Sequence, residues 1–289
     1  AGTDLVLCSL EAIDATALPS ETQRELHWML ADARWREWQS MMSPAANAAT
    51  ERARADLEVL LADLEAEQEA GMRLPRLWMK TQRSLAELSQ FARSVQNDGE
   101  AKSRYASVLA WLSDSTDLDW ARQEYLSTIQ TAIGQLGESG YLSAWDVRRA
   151  LRNTQSEWLE NALKLDPDES QKSFWRFLLA MAVSENGSVE AHFQTIEYFE
   201  AVVAREDSNW RDDARFFYGE WLVRRGELTF SEAGAAIFAG APEKALDQFN
   251  ALVSDYGETE NPYVREARSR IEELTSHSVA IYVPASFTT

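Results

Sequence analysis

Three histidines, His27, His192 and His277, and one cysteine, Cys8, are the only imidazole and thiol groups in this chain, and they stand far apart. Zinc and di-iron carboxylate sites draw on paired ligands a helical turn apart. The chain has no His-Glu-x-x-His, no Glu-x-x-His and no cysteine pair. Its aspartates cluster three times, at Asp117-Leu-Asp119, Asp166-Pro-Asp168 and Asp212-Asp213. A magnesium-binding Asp-Asp-x-x-Asp motif would need a further carboxylate at 216, where Phe216 stands. The first two clusters read as helix starts, where aspartate caps backbone N–H groups and meets the positive end of the helix dipole. No Gly-x-Gly-x-x-Gly and no Walker loop is present, so nothing is built to cradle a phosphate. Cys8 follows the apolar run Leu5-Val-Leu7 and reads as a buried, inert thiol. The expectation is no catalytic residue, no cofactor and no metal.

The formal charge of −19 disfavours a nucleic-acid backbone or an anionic membrane surface as partner. The carboxylates are spread along the chain, the pattern of a well-solvated helical surface. A single cysteine excludes an intramolecular disulfide framework. No run approaches the ~18 apolar residues of a membrane span. Leu5-Val-Leu-Cys8 falls short of a lipoprotein cleavage site, which wants a small residue where Leu7 stands. A charged start followed by an apolar core is also missing, so no signal peptide is expected.

Such chemistry as exists must be positioned by helices. Ala, Leu, Glu and Arg dominate, while Gly and Pro are few. Ser20-Glu-Thr-Gln23 fits a capping box ahead of Leu26, Met29, Leu30 and Ala33, and that helix is expected to stop before Pro44. A long helix is expected from about Ala45 to Ala70, striped by Ala53, Leu57, Leu60, Leu61 and Leu64. Further helices are read over 77–95, around 105–112, over 120–136, and over 144–165 with a break near Asn153. Asn97-Asp-Gly99 reads as a turn. Helical hairpins follow at 173–204 around Asn186-Gly187, and from Asp213 onward. The eleven tryptophans are scattered over nearly every helix, which suits core packing better than an aromatic ligand platform. Trp28, Trp35 and Trp38 share one helix and cannot all face the same way.

Residues 212–274 carry the clearest pattern. With Asp212 as first position, Tyr218, Gly219 and Leu222 fall seventh, eighth and eleventh, and Gly226 marks a turn. In the second helix Ala245, Phe249 and Leu252 take the small, aromatic and small places, and Asn261-Pro-Tyr-Val opens another unit. This resembles the tetratricopeptide-repeat family, over about residues 170–276. The family repeats a 34-residue helix pair and stacks the pairs so that each buries its neighbour's apolar face. The chain departs from it between Leu228 and Ala245, far longer than the family's short turn. Thr229 to Ala241 is therefore expected as a loop or short extra helix. The resemblance implies an all-α, right-handed array of antiparallel helix pairs, a TPR-like solenoid. Residues 1–168 are expected to form an irregular helical array and 169–276 the TPR-like pairs.

Ser278-Val-Ala-Ile-Tyr-Val-Pro reads as a short terminal β-strand, residues 277–289 being extended. It is similar to the opening strand of bacterial macroglobulin-like domains, which implies a following domain and slightly favours an exported or periplasmic setting. In the repeat family the first helix of each pair lines a concave groove. Carried onto this chain, that groove holds Arg176, Asp213, Phe216, Glu220 and Arg224. The same exposed residues could equally be solvent-facing partners in i,i+4 pairs such as Glu220 and Arg224. The expected function is a non-catalytic protein–protein interaction or scaffolding module, docking another protein or a downstream domain of its own chain. The alternative is a helical-array enzyme with an acidic, metal-assisted cleft.

Overall fold

A computed structural model describes residues 8–38, 44–68, 75–91, 95–114, 119–133, 144–165 and 167–280. Twelve α-helices are found among them: α1 (Ser20–Trp38), α2 (Pro44–Gln68), α3 (Pro75–Phe91), α4 (Val95–Ser113), α5 (Asp119–Ile133), α6 (Ala144–Asn153), α7 (Ser156–Lys164), α8 (Glu169–Val183), α9 (Val189–Val203), α10 (Arg211–Arg225), α11 (Pro242–Tyr256) and α12 (Pro262–Ala280). Between α10 and α11 lie two short strands, β1 (Glu227–Phe230) and β2 (Ala236–Ala239). The chain divides into two compact units, Ala1–Gly134 with Arg152–Thr154, and Gln135–Leu151 with Gln155–Thr289, the division falling within α6.

In the first unit, Arg24 holds Glu67 and Arg34 holds Asp56, so α1 and α2 run antiparallel. Trp28 donates to Ser84 and Arg36 reaches Glu87, which sets α3 parallel to α1. Arg83 donates to Glu124 and Gln90 to the Ala132 carbonyl, so α5 lies parallel to α3. The core between these layers is aliphatic, with Leu57, Leu85, Leu88, Leu109 and Leu112 fully buried beside Trp35. Where tryptophan enters it, the indole N–H finds a partner, Asp32 for Trp35 and Ser84 for Trp28.

The second unit repeats this logic. Phe199 stacks on Tyr218 and His192 meets Trp221, so α9 and α10 are antiparallel. Phe174 stacks on Trp210 and Trp221 donates to the Ser184 carbonyl, so α8 and α10 are parallel. Asp212 meets Asn261 and Glu220 meets Arg270, which makes α12 parallel to α10 in turn. Adjacent antiparallel pairs stacked in parallel register are compatible with a helical repeat. Asp168 caps α8 by accepting from the Gln171 N–H, and Ser188 caps α9 by accepting from Ala191.

Several expectations are corrected. Asn97-Asp-Gly99 is helical, inside α4, because the turn-forming residues are outweighed by the packed face that begins at Ala101 and Tyr105. Thr229 to Ala241 is neither loop nor helix but an antiparallel hairpin pairing Leu228 with Phe238 and Phe230 with Ala236. Its reversal is permitted by Gly234, whose φ of 80° no side-chain-bearing residue adopts cheaply. Cys8 is exposed, near the edge of the described residues. Gln23 donates to the Leu18 carbonyl, and its N–H is taken by the Pro19 carbonyl, so Ser20 lies inside the first turn instead of capping it. Val279 and Ala280 close α12, and the remainder of the expected terminal strand lies outside the described residues, as do Asp117 and Asp166.

At the crossing of α10 and α11 the side chain is absent by design: a Cβ at Gly219 would stand 2.6 Å from Phe249 Cε1, and Phe249 is wholly buried. Gly219→Ala is expected to destabilise the second unit by about 1–3 kcal/mol through overpacking, against alanine's smaller gain in helix propensity. Adding Phe249→Leu should recover part of that loss. Urea denaturation of both single variants and the double variant measures it. A Gly219→Ala chain as stable as the parent would mean the helices do not touch there.

Candidate functional site

The residues expected to line a groove are separated by α12. Asp213 is fully buried on the first turn of α10, where its Oδ1 accepts from the Tyr263 hydroxyl at 3.1 Å. Phe216 is 8% exposed and stacks on the Tyr263 ring with centroids 4.7 Å apart. Neither faces solvent, because the helix that follows packs onto this part of α10. Glu220 is half-buried and takes Arg270 in a two-pronged ion pair at 2.6 and 2.9 Å. Arg224 is exposed on the last turn, near Glu185 at 3.5 Å. Arg176 is half-buried on α8. Glu220 and Arg224 thus do not pair side chain to side chain; the Arg224 Nε donates to the Glu220 carbonyl instead.

Beneath Asp213 lies a buried polar joint. Asp212 Oδ2 accepts from Asn261 Nδ2 at 2.6 Å, while Asn261 Oδ1 caps α12 by accepting from the Tyr263 N–H. Burial pushes the Asp212 carboxyl above its ordinary range, opposed by hydrogen bonds from nearby backbone and Asn261. Burial raises the Tyr263 phenol too, and the Asp213 carboxylate raises it further. Arg215 lies close by, its guanidinium 2.9 Å from Asp255 and its protonated form disfavoured by burial and by Arg211. The hydrogen bonds and ion pair of this cluster join α10 to α11 and α12, which makes it a fastening, though the buried Arg215 Nε takes no hydrogen-bond partner among the described residues.

An open cavity of about 410 Å³ lies at the α11–α12 turn, lined by Gly257, Asn261, Arg265, Arg268 and Glu272 among others. Its lining holds one carboxylate, Glu272. Among the described residues no three His, Cys, Asp or Glu side chains converge as a metal site, and no helix is long and apolar enough to cross a membrane.

The surface that sequence reading missed is at the hairpin. Phe230 is 61% exposed and Ile237 47%, and Phe193 on the neighbouring α9 is 59% exposed. These are three of the six large apolar side chains exposed among the described residues, gathered at one end of one unit. Phe193 is joined to the hairpin through His192, whose ring lies 5.6 Å from Phe193, 5.5 Å from Phe238 and 5.1 Å from Trp221. His192 is itself buried, and desolvation, helped by Lys244, holds it below the ordinary histidine range. Alternation along a strand puts Leu228, Phe230 and Phe238 on one face of the ribbon and Ile237 on the other. The available signal was the alternating Leu228-Thr-Phe-Ser and the glycine at 234, both easily taken for an irregular insertion.

No family model, no curated protein and no solved structure matches the chain.

Asn261→Asp places a second carboxylate against Asp212 where a donor stood. It is expected to cost roughly 1–3 kcal/mol, as for a buried polar group deprived of its partner. The folded pair then binds a proton that the unfolded chain gives up near pH 4, so the cost grows as pH rises and shrinks as it falls. Thermal denaturation at pH 5 and pH 8 reads this; a loss equal at both would remove Asp212 from the joint.

Proposed function

We propose that this chain is a non-catalytic docking module of tetratricopeptide-like build that holds another protein at the hairpin end of its second unit. The observation that carries the reading is the exposure of Phe193, Phe230 and Ile237 around an insertion between two packed helices. Large apolar side chains gathered in the open at one end of a protein often mark an interface; Phe193 and Phe230 stand with Leu228 and Phe238 on one side of the ribbon, and Ile237 is exposed on the other. The helices around the patch do not need it for their own cores: α10 and α11 close on Gly219 and Phe249 without help from β1. Aromatic residues at the centre with charged groups at the rim is the composition that binding surfaces favour. Glu185 and Arg224 are exposed at this same end of α8 and α10, which supports a role for Arg224 at the rim. The tetratricopeptide likeness adds the parallel stacking of α8, α10 and α12, and the small-against-aromatic contact of Gly219 with Phe249.

A photo-crosslinking phenylalanine analogue at position 230, used in extract of the source cells, should join the chain to one discrete protein. Phe193→Ser with Phe230→Ser should cut that product at least tenfold, and Arg224→Ala should reduce it less. Both phenylalanines are exposed, so melting should shift by no more than the ~0.5 kcal/mol usual for surface changes. Crosslinking that is diffuse, or unaltered by the serine variants, would sink the reading.

A further inference from the structure

We infer that the open edge of β1 takes up an extended segment of a partner protein as a third strand, and that the segment it fits alternates apolar with basic side chains. The inference rests on the docking reading above and supplies its partner chemistry.

Begin with the backbone. The sheet has two strands, and β1 pairs with β2 alone among the described residues. On the opposite side, the N–H and C=O groups of Leu228 and Phe230 therefore point away from β2 along an edge with no strand beside it among the described residues. Proteins normally blunt such an edge by keeping it short, by a charged side chain, proline or a bulge, or by a covering loop; β1 is short and carries one charge, Glu227, at its start. Here β1 reads Glu-Leu-Thr-Phe, with no proline and no cation, and its ladder to β2 runs without a bulge. On its other side β2 runs back to α10, where the Ala241 N–H donates to the Leu222 carbonyl at 2.7 Å. The segment after β2 is thus tied to α10, and β2 also carries Phe238 against His192, while the outer edge of β1 has no strand beside it among the described residues. A two-stranded ribbon is marginal by itself, and a third strand is what makes such a sheet stable.

The side chains then say what the strand carries. Residues directly opposite one another across a sheet interact on a shared face. On one face of β1 stand Leu228 and Phe230, continuous with Phe238, so the incoming residues there are apolar. On the other stand Glu227 and Thr229, so the incoming residues there are polar, and cationic opposite Glu227. The surroundings select the same sign. Phe193 is flanked on its own face of α9 by Glu190 and Glu197, three before and four after, both exposed. Glu227 and Glu232 are exposed on the hairpin and Glu243 on the first turn of α11, and no salt bridge to these five carboxylates is found among the described residues. The cations nearby are mostly engaged, Arg224 with Glu185 and Arg225 with the Ser184 carbonyl, leaving Lys244. An acidic rim about an apolar centre draws a basic-apolar segment and repels an acidic one. Four residues of β1 span about 14 Å at ~3.4 Å each, so a segment of roughly four to six residues fills the edge.

The test uses the full chain and three fluorescent nine-residue peptides. One alternates lysine with valine, one has the same composition scrambled, and one alternates glutamate with valine. The alternating basic peptide should bind by anisotropy at least tenfold more tightly than either other. Glu227→Lys should weaken it at least tenfold, with melting unchanged. Hydrogen exchange should slow at the amides of Leu228 and Phe230, which point away from β2, and change little at Thr229. Methylating alternate backbone nitrogens of the peptide should abolish binding in one phase and spare it in the other. Equal binding of the scrambled peptide, indifference to N-methylation, or unchanged exchange in β1 overturns the strand-addition proposal. If the peptides fail while crosslinking from position 230 still yields one protein, strand addition falls and the docking module stands. If both fail, both fall.

Discussion

The second unit depends on how closely α10 can approach its neighbours. Gly219 removes a side chain where the Phe249 ring must lie, and this brings α11 against α10 along its length. With that contact made, α10 becomes the shared wall. Phe174, Phe177 and Phe199 pack on one side through Trp210, Phe217 and Tyr218, and Tyr263 packs on the other through Phe216. Dispersion over such a run of rings is large in sum and small in each contact. A displacement at Gly219 would therefore be felt at every ring along the helix. The polar joint of Asp212, Asn261 and Tyr263 adds direction to this packing, since hydrogen bonds fix a register that apolar contact alone leaves loose.

That same wall decides what is left at the surface. Because α12 lies parallel to α10 and covers its first two turns, Asp213 and Phe216 are spent on structure. Only the last turn of α10 remains open, and the chain leaves it directly into β1. The hairpin is accommodated because it enters between helices whose own contact is already satisfied. Its one deep anchor is Phe238, placed against His192 beside Trp221. The imidazole sits among aromatic rings, where burial and Lys244 disfavour its charged form, and its Nδ1 is buried without a hydrogen-bond partner among the described residues.

Much of the helical layout was legible from periodicity. The stripe of Leu57, Leu60, Leu61 and Leu64 is the buried face of α2, and the break near Asn153 separates α6 from α7. Asp168 and Ser188 cap as their types suggest, because capping is a local reaction of a side chain with the backbone two or three residues on. What failed was non-local. Asn97-Asp-Gly99 has the chemistry of a turn, yet it lies within α4, whose buried face is supplied by residues of other helices. The burial of Asp213 and Phe216 depends on where α12 comes to rest, about fifty positions later in the chain. The groove positions carried over from the repeat family could not register this, since they assume that the next helix leaves α10 uncovered. The tryptophans divide the same way. Trp35 and Trp175 are fully buried and Trp28 is half-buried with Lys80 over its ring, a difference set by neighbouring helices more than by spacing.

The hairpin shows why a departure from a pattern can say more than the pattern. Residues of the repeat-like pattern, Tyr218, Leu222, Ala245, Phe249 and Leu252, are exposed by 5% or less, so they answer to packing. Packing constrains them to be small or bulky in turn and leaves little chemistry for a partner to read. The inserted segment answers to no such demand. It carries Phe230 and Ile237 into solvent on a ribbon that the core does not require. A solvent-exposed phenylalanine forgoes the gain that burying its area would give, on the order of 25 cal/mol per Å², and keeps that gain available for binding. An insertion that held only a loop could have used serine or glycine at every one of these positions. Its apolar side chains, its uncovered strand edge and its carboxylate rim are each unfavourable for a free monomer. All three are relieved together by a single event, the arrival of an apolar and basic strand.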